Sequence, residues 1–237
     1  RRGEQMIELM QDVEAETGTR GGERRGQLRV TASSSFATSH LAPAIVDFLA
    51  LHTQLKIDLR ISETAVNLVE ERIDLAIRIS AEPDPLLIAR SLARCDSVLV
   101  ASPAYLARHG APQMPSELTQ HVCLSHANFG KSVWRFARAD ETAQISVASR
   151  YSANDATILL HAALAGGGIA LLPTYLVNEH VRTGTLNAAL TEWQLPIMTI
   201  YALYPSRRHL SPAVRALLDF LVDRFATVPW QSGSRAN

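Results

Sequence analysis

Between Leu28 and Ile79 the chain alternates strand and helix signals at a spacing that few folds accommodate. Residues 28–32 read as a short strand, and a helix follows in which Leu41, Ile45, Phe48 and Leu49 recur on one face. Residues 55–61 alternate strictly, with Leu55, Ile57, Leu59 and Ile61 at the apolar positions, the mark of a strand with one buried face. Val66, Val69 and Ile73 predict a short helix, and residues 75–79 a third strand. Parallel strands need crossovers of this kind, so the pattern predicts a parallel sheet covered by helices. In such sheets ligands collect beyond the carboxyl ends of the strands. There the sequence puts Ser33, Ser34 and Ser35, then Glu63 and Thr64, and finally Ser80.

The hydroxyl cluster after the first strand is the leading site candidate. A strand-to-helix junction leaves the first N–H groups of the helix without partners. With the helix dipole and the hydroxyls of Ser33, Ser34, Ser35 and Thr38, those groups suit a small anion or polar ligand. The simpler reading of any one serine is a helix cap. Arg78 is read either as solvent-exposed or as facing a ligand carboxylate, which its planar fork holds at two points.

The strand–helix logic returns in the second half. Residues 86–101 form a strand region, and Ser102-Pro103 caps a helix that Gly110 closes. Strands are predicted at 122–125, 133–136, 145–149, 169–172 and 198–204, and a turn at 151–155 from which Asn154 or Asp155 caps helix 156–165. Gly166-Gly167-Gly168 runs from helix into strand, the reverse of a nucleotide loop, and reads as a helix stop with close backbone packing. The last helix begins at Ser211-Pro212 and turns Val214, Leu217, Leu218, Leu221 and Phe225 inward. Trp230 onward reads as loose, and residues 4–17 as a helix with a narrow apolar stripe suited to a partner helix.

Composition excludes several functions. Formal net charge is zero, whereas a domain that grips nucleic acid by itself carries a basic excess. The eight histidines show no zinc-protease spacing, and no nucleophile elbow occurs, so no catalytic residue is assigned. Cys95 and Cys123 have no metal-type spacing and read as buried free thiols of a reducing compartment. No cofactor or metal is called for. No apolar run suits a membrane span and no signal-like segment follows Arg1, which points to the cytoplasm.

In this order and spacing the pieces resemble the LysR-type transcriptional regulators, over roughly residues 1–226. The likeness is carried by Gly26-Gln27-Leu28-Arg29-Val30, by 48–60, by Asp74-Leu75-Ala76-Ile77-Arg78 and by Trp134-Arg135-Phe136. It continues through Asn154-Asp155, 162–173 and Tyr204-Pro205-Ser206-Arg207-Arg208-His209-Leu210-Ser211-Pro212. The resemblance implies an α/β fold of the type 2 periplasmic-binding-protein-like kind, two subdomains with a ligand cleft between them, preceded by a linker helix. The expected divisions are 1–27 for the end of the dimerisation helix and its connector, 28–102 plus 201–228 for subdomain I, 103–200 for subdomain II, and 229–237 for a loose tail.

By the same resemblance the chain is an effector-sensing domain for a small metabolite, often an organic acid in this family. It would assemble as a homodimer or homotetramer and meet DNA only through a winged helix-turn-helix before Arg1. The effector residues carried over are Ser33, Ser34, Ser35 and Thr38, with Glu63, Thr64, Ser102, Phe129, Asn154 and Ile169 behind them. The rival readings are a solute-binding protein of a transport system with the same fold, and a hydrolase.

Overall fold

The computed structural model describes residues 26–128, 133–147, 149–205, 210–227 and 230. The expected partner-seeking helix at 4–17 and residues 231–237 of the expected loose tail lie outside them. The chain divides into two compact units. One takes the described residues up to Ser33, then His40–Ala93 and the described residues from Ile200 to 227; the other takes Ser34–Ser39, Arg94–Thr199 and Trp230.

In the first unit β1 (Gly26–Ala32) pairs in parallel with β2 (Leu55–Ile61) and with β3 (Leu75–Ser80). With β4 (Ile88–Cys95) and β12 (Met198–Tyr204) the sheet order is β2-β1-β3-β12-β4. The predicted parallel sheet is therefore present. β1 is interior, and Leu28, Val30 and Ala32 are buried. β2 is an edge strand, so its strict alternation earns only partial cover: Leu55 is buried, but Ile61 is 53% exposed. From Ser34 to Leu51 the chain is helical: α1 (Ser34–Phe36), a π turn (Ala37–Leu41) and α2 (Ala42–Leu51). α2 buries Ala44, Ile45 and Phe48. α6 (Pro212–Phe225) is capped by Ser211, whose Oγ accepts from Val214 N–H, and it buries all five residues of its predicted inner face. Each such side chain contributes about 1.5–3 kcal/mol when fully buried.

The helix predicted from Val66, Val69 and Ile73 does not form. Asn67 Oδ1 accepts from the N–H groups of Val69 and Glu70, and Arg72 adopts a left-handed φ of 52°. Asn67 thus caps a single turn, closed by Glu71 N–H on the Asn67 carbonyl, and the left-handed Arg72 ends it there. Leu68 and Ile73 are the buried residues of this loop, while Val69 is 70% exposed.

The second unit carries a sheet ordered β11-β5-β10-β6-β9. β5 is Ser97–Ala101, β6 Cys123–His126, β9 Ser149–Ala153, β10 Ile169–Pro173 and β11 Asn187–Ala189. β10 is parallel to β6 and antiparallel to β5. Its helices are α3 (Pro103–His109), α4 (Ala156–Leu164) and α5 (Thr174–Arg182). A separate antiparallel ribbon joins β7 (Val133–Arg138) to β8 (Glu141–Ser146).

Three expectations need correction here. Residues 151–153, read as turn, belong to β9, because β6 offers them a parallel partner. α5 was not foreseen, since Pro173 signals a stop; it stands instead as the residue before a helix, where its missing N–H costs nothing. Trp230 is not loose: it is buried and its indole N–H donates to the Arg94 carbonyl at 3.2 Å. Gly166–Gly168 behaves as expected, with Gly166 and Gly167 N–H groups closing α4 onto Ala163 and Ala162. Among the described residues no helix is long and apolar enough to cross a membrane.

Candidate functional site

In the first unit the strand carboxyl ends gather the polar groups. Thr31 is buried on β1, Ser33 follows the last residue of that strand, and Arg78 stands on β3 one residue past Ile77, the partner of Ala32. The turn after β2 is tied to β1, Ser62 N–H donating to the Ala32 carbonyl at 3.0 Å. Within that turn Ser62 Oγ donates to the Thr64 carbonyl. Arg78 binds this end together. Its Nη2 donates to Thr31 Oγ1 at 3.2 Å and to the Thr64 carbonyl at 3.4 Å, and its Nη1 donates to the Ile77 carbonyl at 3.1 Å. Burial lowers the Arg78 pKa, and the charge of Glu63 partly restores it. The Ser33 hydroxyl is buried and has no hydrogen-bond partner in the described structure, so it does not serve as the side-chain cap that a serine there suggests. Ser80 is occupied locally, its Oγ donating to the Glu82 carbonyl.

The hydroxyl-rich turn is divided between the units, Ser33 going with the first and Ser34–Ser39 with the second. In the second unit Ser35 is buried, its Oγ 2.9 Å from the Tyr175 hydroxyl. Phe36 beside it meets Tyr175 and Trp230 edge-to-face at 5.5 and 6.4 Å. Ser35 is thus engaged in a structural bond, whereas Ser34 is half-buried and Thr38 exposed. Asn154 is exposed just before α4, and Asp155 caps that helix by accepting from Thr157 N–H at 2.6 Å. Ser102 is buried, and its Oγ accepts from Tyr105 N–H to cap α3. Ile169 is fully buried in a core with Leu99, Tyr105, Trp134 and Trp193. Phe129 lies outside the described residues.

Sequence reasoning did not find the polar pair beneath α3. The Tyr105 hydroxyl accepts from Val122 N–H at 2.9 Å and sits 3.2 Å from Nδ1 of His121. With its oxygen engaged by the amide, the hydroxyl proton turns to Nδ1, an arrangement that needs a neutral ring. Burial, then the charge of His109, lowers the His121 pKa; Glu117 opposes them. Above the ordinary value of about 6.5 both folded and unfolded rings are neutral and nothing is lost. Below it the unfolded chain takes up the proton first, so stability falls with pH until the lower folded value is passed. His126 is lowered in the same direction by burial, against Asp155. The midpoint of thermal unfolding is expected to drop between pH 6.5 and 5, and to drop less in His121→Asn, which keeps an acceptor but cannot titrate. Equal acid sensitivity in the two proteins contradicts this. Cys95 and Cys123 are buried free thiols, pushed by burial up to about 12 and so unreactive.

The chain thus has two α/β units, with hydroxyls and an arginine at the strand ends of the first, and among the described residues no group of three or more His, Cys, Asp or Glu side chains is placed to hold a metal ion. Residues 21–226 match the family model described as the LysR substrate binding domain. Among curated proteins, the chain is 32% identical to the transcriptional regulator PtxR of Pseudomonas aeruginosa over 89% of its length and 68% of PtxR. It is 34% identical to the regulator DmlR of Escherichia coli, over 85% of this chain and 66% of that one. The regulatory domain of CrgA, a LysR-type transcriptional regulator from Neisseria meningitidis, superposes with a TM-score of 0.75 at 30% identity, over 85% of this chain and 99% of that one. Full-length AphB, a virulence activator of Vibrio cholerae, gives 0.79 at 27% identity, over 93% and 74%. The chain belongs to the LysR substrate-binding domain family, whose regulatory domains have the type 2 periplasmic-binding-protein-like fold. It spans about two thirds of the length of several curated relatives it matches. Their names are those of regulators, not enzymes.

Proposed function

We propose that this chain is the effector-sensing part of a DNA-binding transcriptional regulator. Its effector is a small organic acid, bound in contact with the hydroxyl-rich turn after β1. The bound acid favours one packing of a homodimer or homotetramer and so repositions a winged helix-turn-helix that precedes this segment. Besides the family, one observation supports the reading: the hydroxyl-rich turn follows β1 at the end of the sheet where Arg78 donates to Thr31 Oγ1 and to the Thr64 carbonyl. It includes a π turn, a form that recurs at functional sites. To act as a switch, a ligand held there needs differential affinity for two states of the protein.

The test is a thermal-shift screen of aliphatic acids, aromatic acids and amino acids, followed by DNA-binding measurements on the full-length protein. A ligand selective for the folded state raises the melting temperature. One acid is expected to do so and to change operator affinity. Ser34→Ala is expected to weaken that acid up to about tenfold with the fold intact, since one hydroxyl bond contributes about 0.5–1.5 kcal/mol. An acid that stabilises the domain yet leaves DNA binding unchanged removes the switch.

A further inference from the structure

We propose that Trp230 is a strap that holds the hydroxyl-rich turn Ser34–Ser39 in the form that presents its hydroxyls. The purpose of the strap rests on the sensor reading, but its packing does not. Trp230 lies beyond the residues, 21–226, that match the family model, so its burial is a feature of this chain. It follows α6, yet it belongs with the turn to the second unit and is only 6% exposed. Its ring meets Phe36 at 6.4 Å and Tyr175 at 6.1 Å, both in the edge-to-face arrangement that aromatic pairs prefer. Phe36 and Tyr175 meet each other at 5.5 Å, so the three rings close a triangle. The indole N–H donates to the Arg94 carbonyl, which fixes the orientation of the ring as well as its depth.

The triangle grips one side of the turn. Phe36 is fully buried and Ser35, also buried, bonds the Tyr175 hydroxyl at 2.9 Å, so two consecutive residues of α1 are held by side chains of the second unit. Ser34 is half-buried and Thr38 exposed, so the hydroxyls open to a ligand flank the gripped pair. A π turn follows at once, a rare form of helix that needs support from outside its own backbone. Side chains that meet across long stretches of sequence supply that support. With the indole gone, Phe36 and Tyr175 lose a shared neighbour, and the turn gains freedom while the sheet keeps its ladder.

Amide hydrogen exchange of the whole chain tests the strap without any ligand. In Trp230→Ala the amides of residues 34–41 are expected to exchange about tenfold faster or more while those of β6 and β10 keep their rates, the signature of a local opening. Trp230→Phe keeps a ring against Phe36 and Tyr175 and should recover most of the protection. Tyr175→Phe keeps all three rings and removes only the bond to Ser35, so it should speed the same amides by a smaller factor, about threefold. Unchanged exchange at residues 34–41 in Trp230→Ala overturns the strap. An equal acceleration in β10 does so too, because Trp230 then supports the whole unit. Should Trp230→Ala fail to fold, Trp230→Leu, which keeps apolar volume without a ring, is read by the same two criteria. Since no ligand enters the measurement, failure of every acid in the thermal-shift screen removes the sensor reading and leaves the strap standing.

Discussion

Gly168→Ala is expected to destabilise the second unit by about 3 kcal/mol or more, the range of substitutions that force backbone apart. Gly168 has a φ of 151°, and a Cβ built on it lies 2.3 Å from the Val122 carbonyl oxygen and 3.0 Å from its carbon. Those are backbone atoms, so no side chain can swing aside. The same carbonyl accepts the Ile169 N–H at 2.9 Å where β10 begins to pair with β6. Relief of the clash therefore lengthens a sheet hydrogen bond as well as straining φ. For a chain of this size the loss lowers the melting temperature by roughly 6–12 °C. Gly184→Ala is the control: its φ is 74° but nothing lies within 4 Å of a Cβ there. That variant carries only the left-handed penalty, on the order of 1–2 kcal/mol. Should Gly168→Ala melt no lower than Gly184→Ala, the close packing of α4's end on residue 122 is not what holds β10 in place.

That packing was readable in the sequence because three glycines between a helix pattern and an apolar strand admit few other uses. The parallel sheet was equally readable, from alternation and crossover length. What the chain did not reveal is which strand ends up at an edge: β2 carries a full alternating pattern, yet Ile61 stays exposed because edge position is decided by strand order. α5 escaped for a local reason, since Pro173 marks both the end of a strand and the approach to a helix. Side-chain tethers were the least visible. Ser35 meets Tyr175 across 140 residues of sequence, and no spacing rule links them. The bond from Arg78 to Thr31 needs the register of β1 on β3, which only the paired sheet supplies. Local propensity speaks for elements; partners depend on topology.

Trp134→Ala is expected to cost about 3–5 kcal/mol, the usual range for removing a large buried aromatic. Trp134 is 1% exposed and shares a core with Tyr105, Leu118, Phe136, Ile169 and Trp193. It also fastens the β7–β8 ribbon, because two strands alone are marginal in water and need an apolar anchor. On its other side β7 meets Gln194 through two backbone bonds, Ala137 N–H to the Gln194 carbonyl and Gln194 N–H to the Ala137 carbonyl. Arg138 lies 4.4 Å over the Trp193 ring, adding a cation–π contact. Removing the indole leaves those polar ties in place but empties the volume beneath them. The ribbon should then open before the rest of the unit, so amide exchange across Val133–Ser146 accelerates at temperatures where β10 and β6 remain protected. Trp134→Phe, which keeps an aromatic ring in the same space, should recover a large part of the loss. Val133→Ala, at a position 36% exposed, should change stability by no more than about 0.5 kcal/mol. If the ribbon and the sheet of Trp134→Ala lose protection together, the indole supports the whole unit and not the ribbon first.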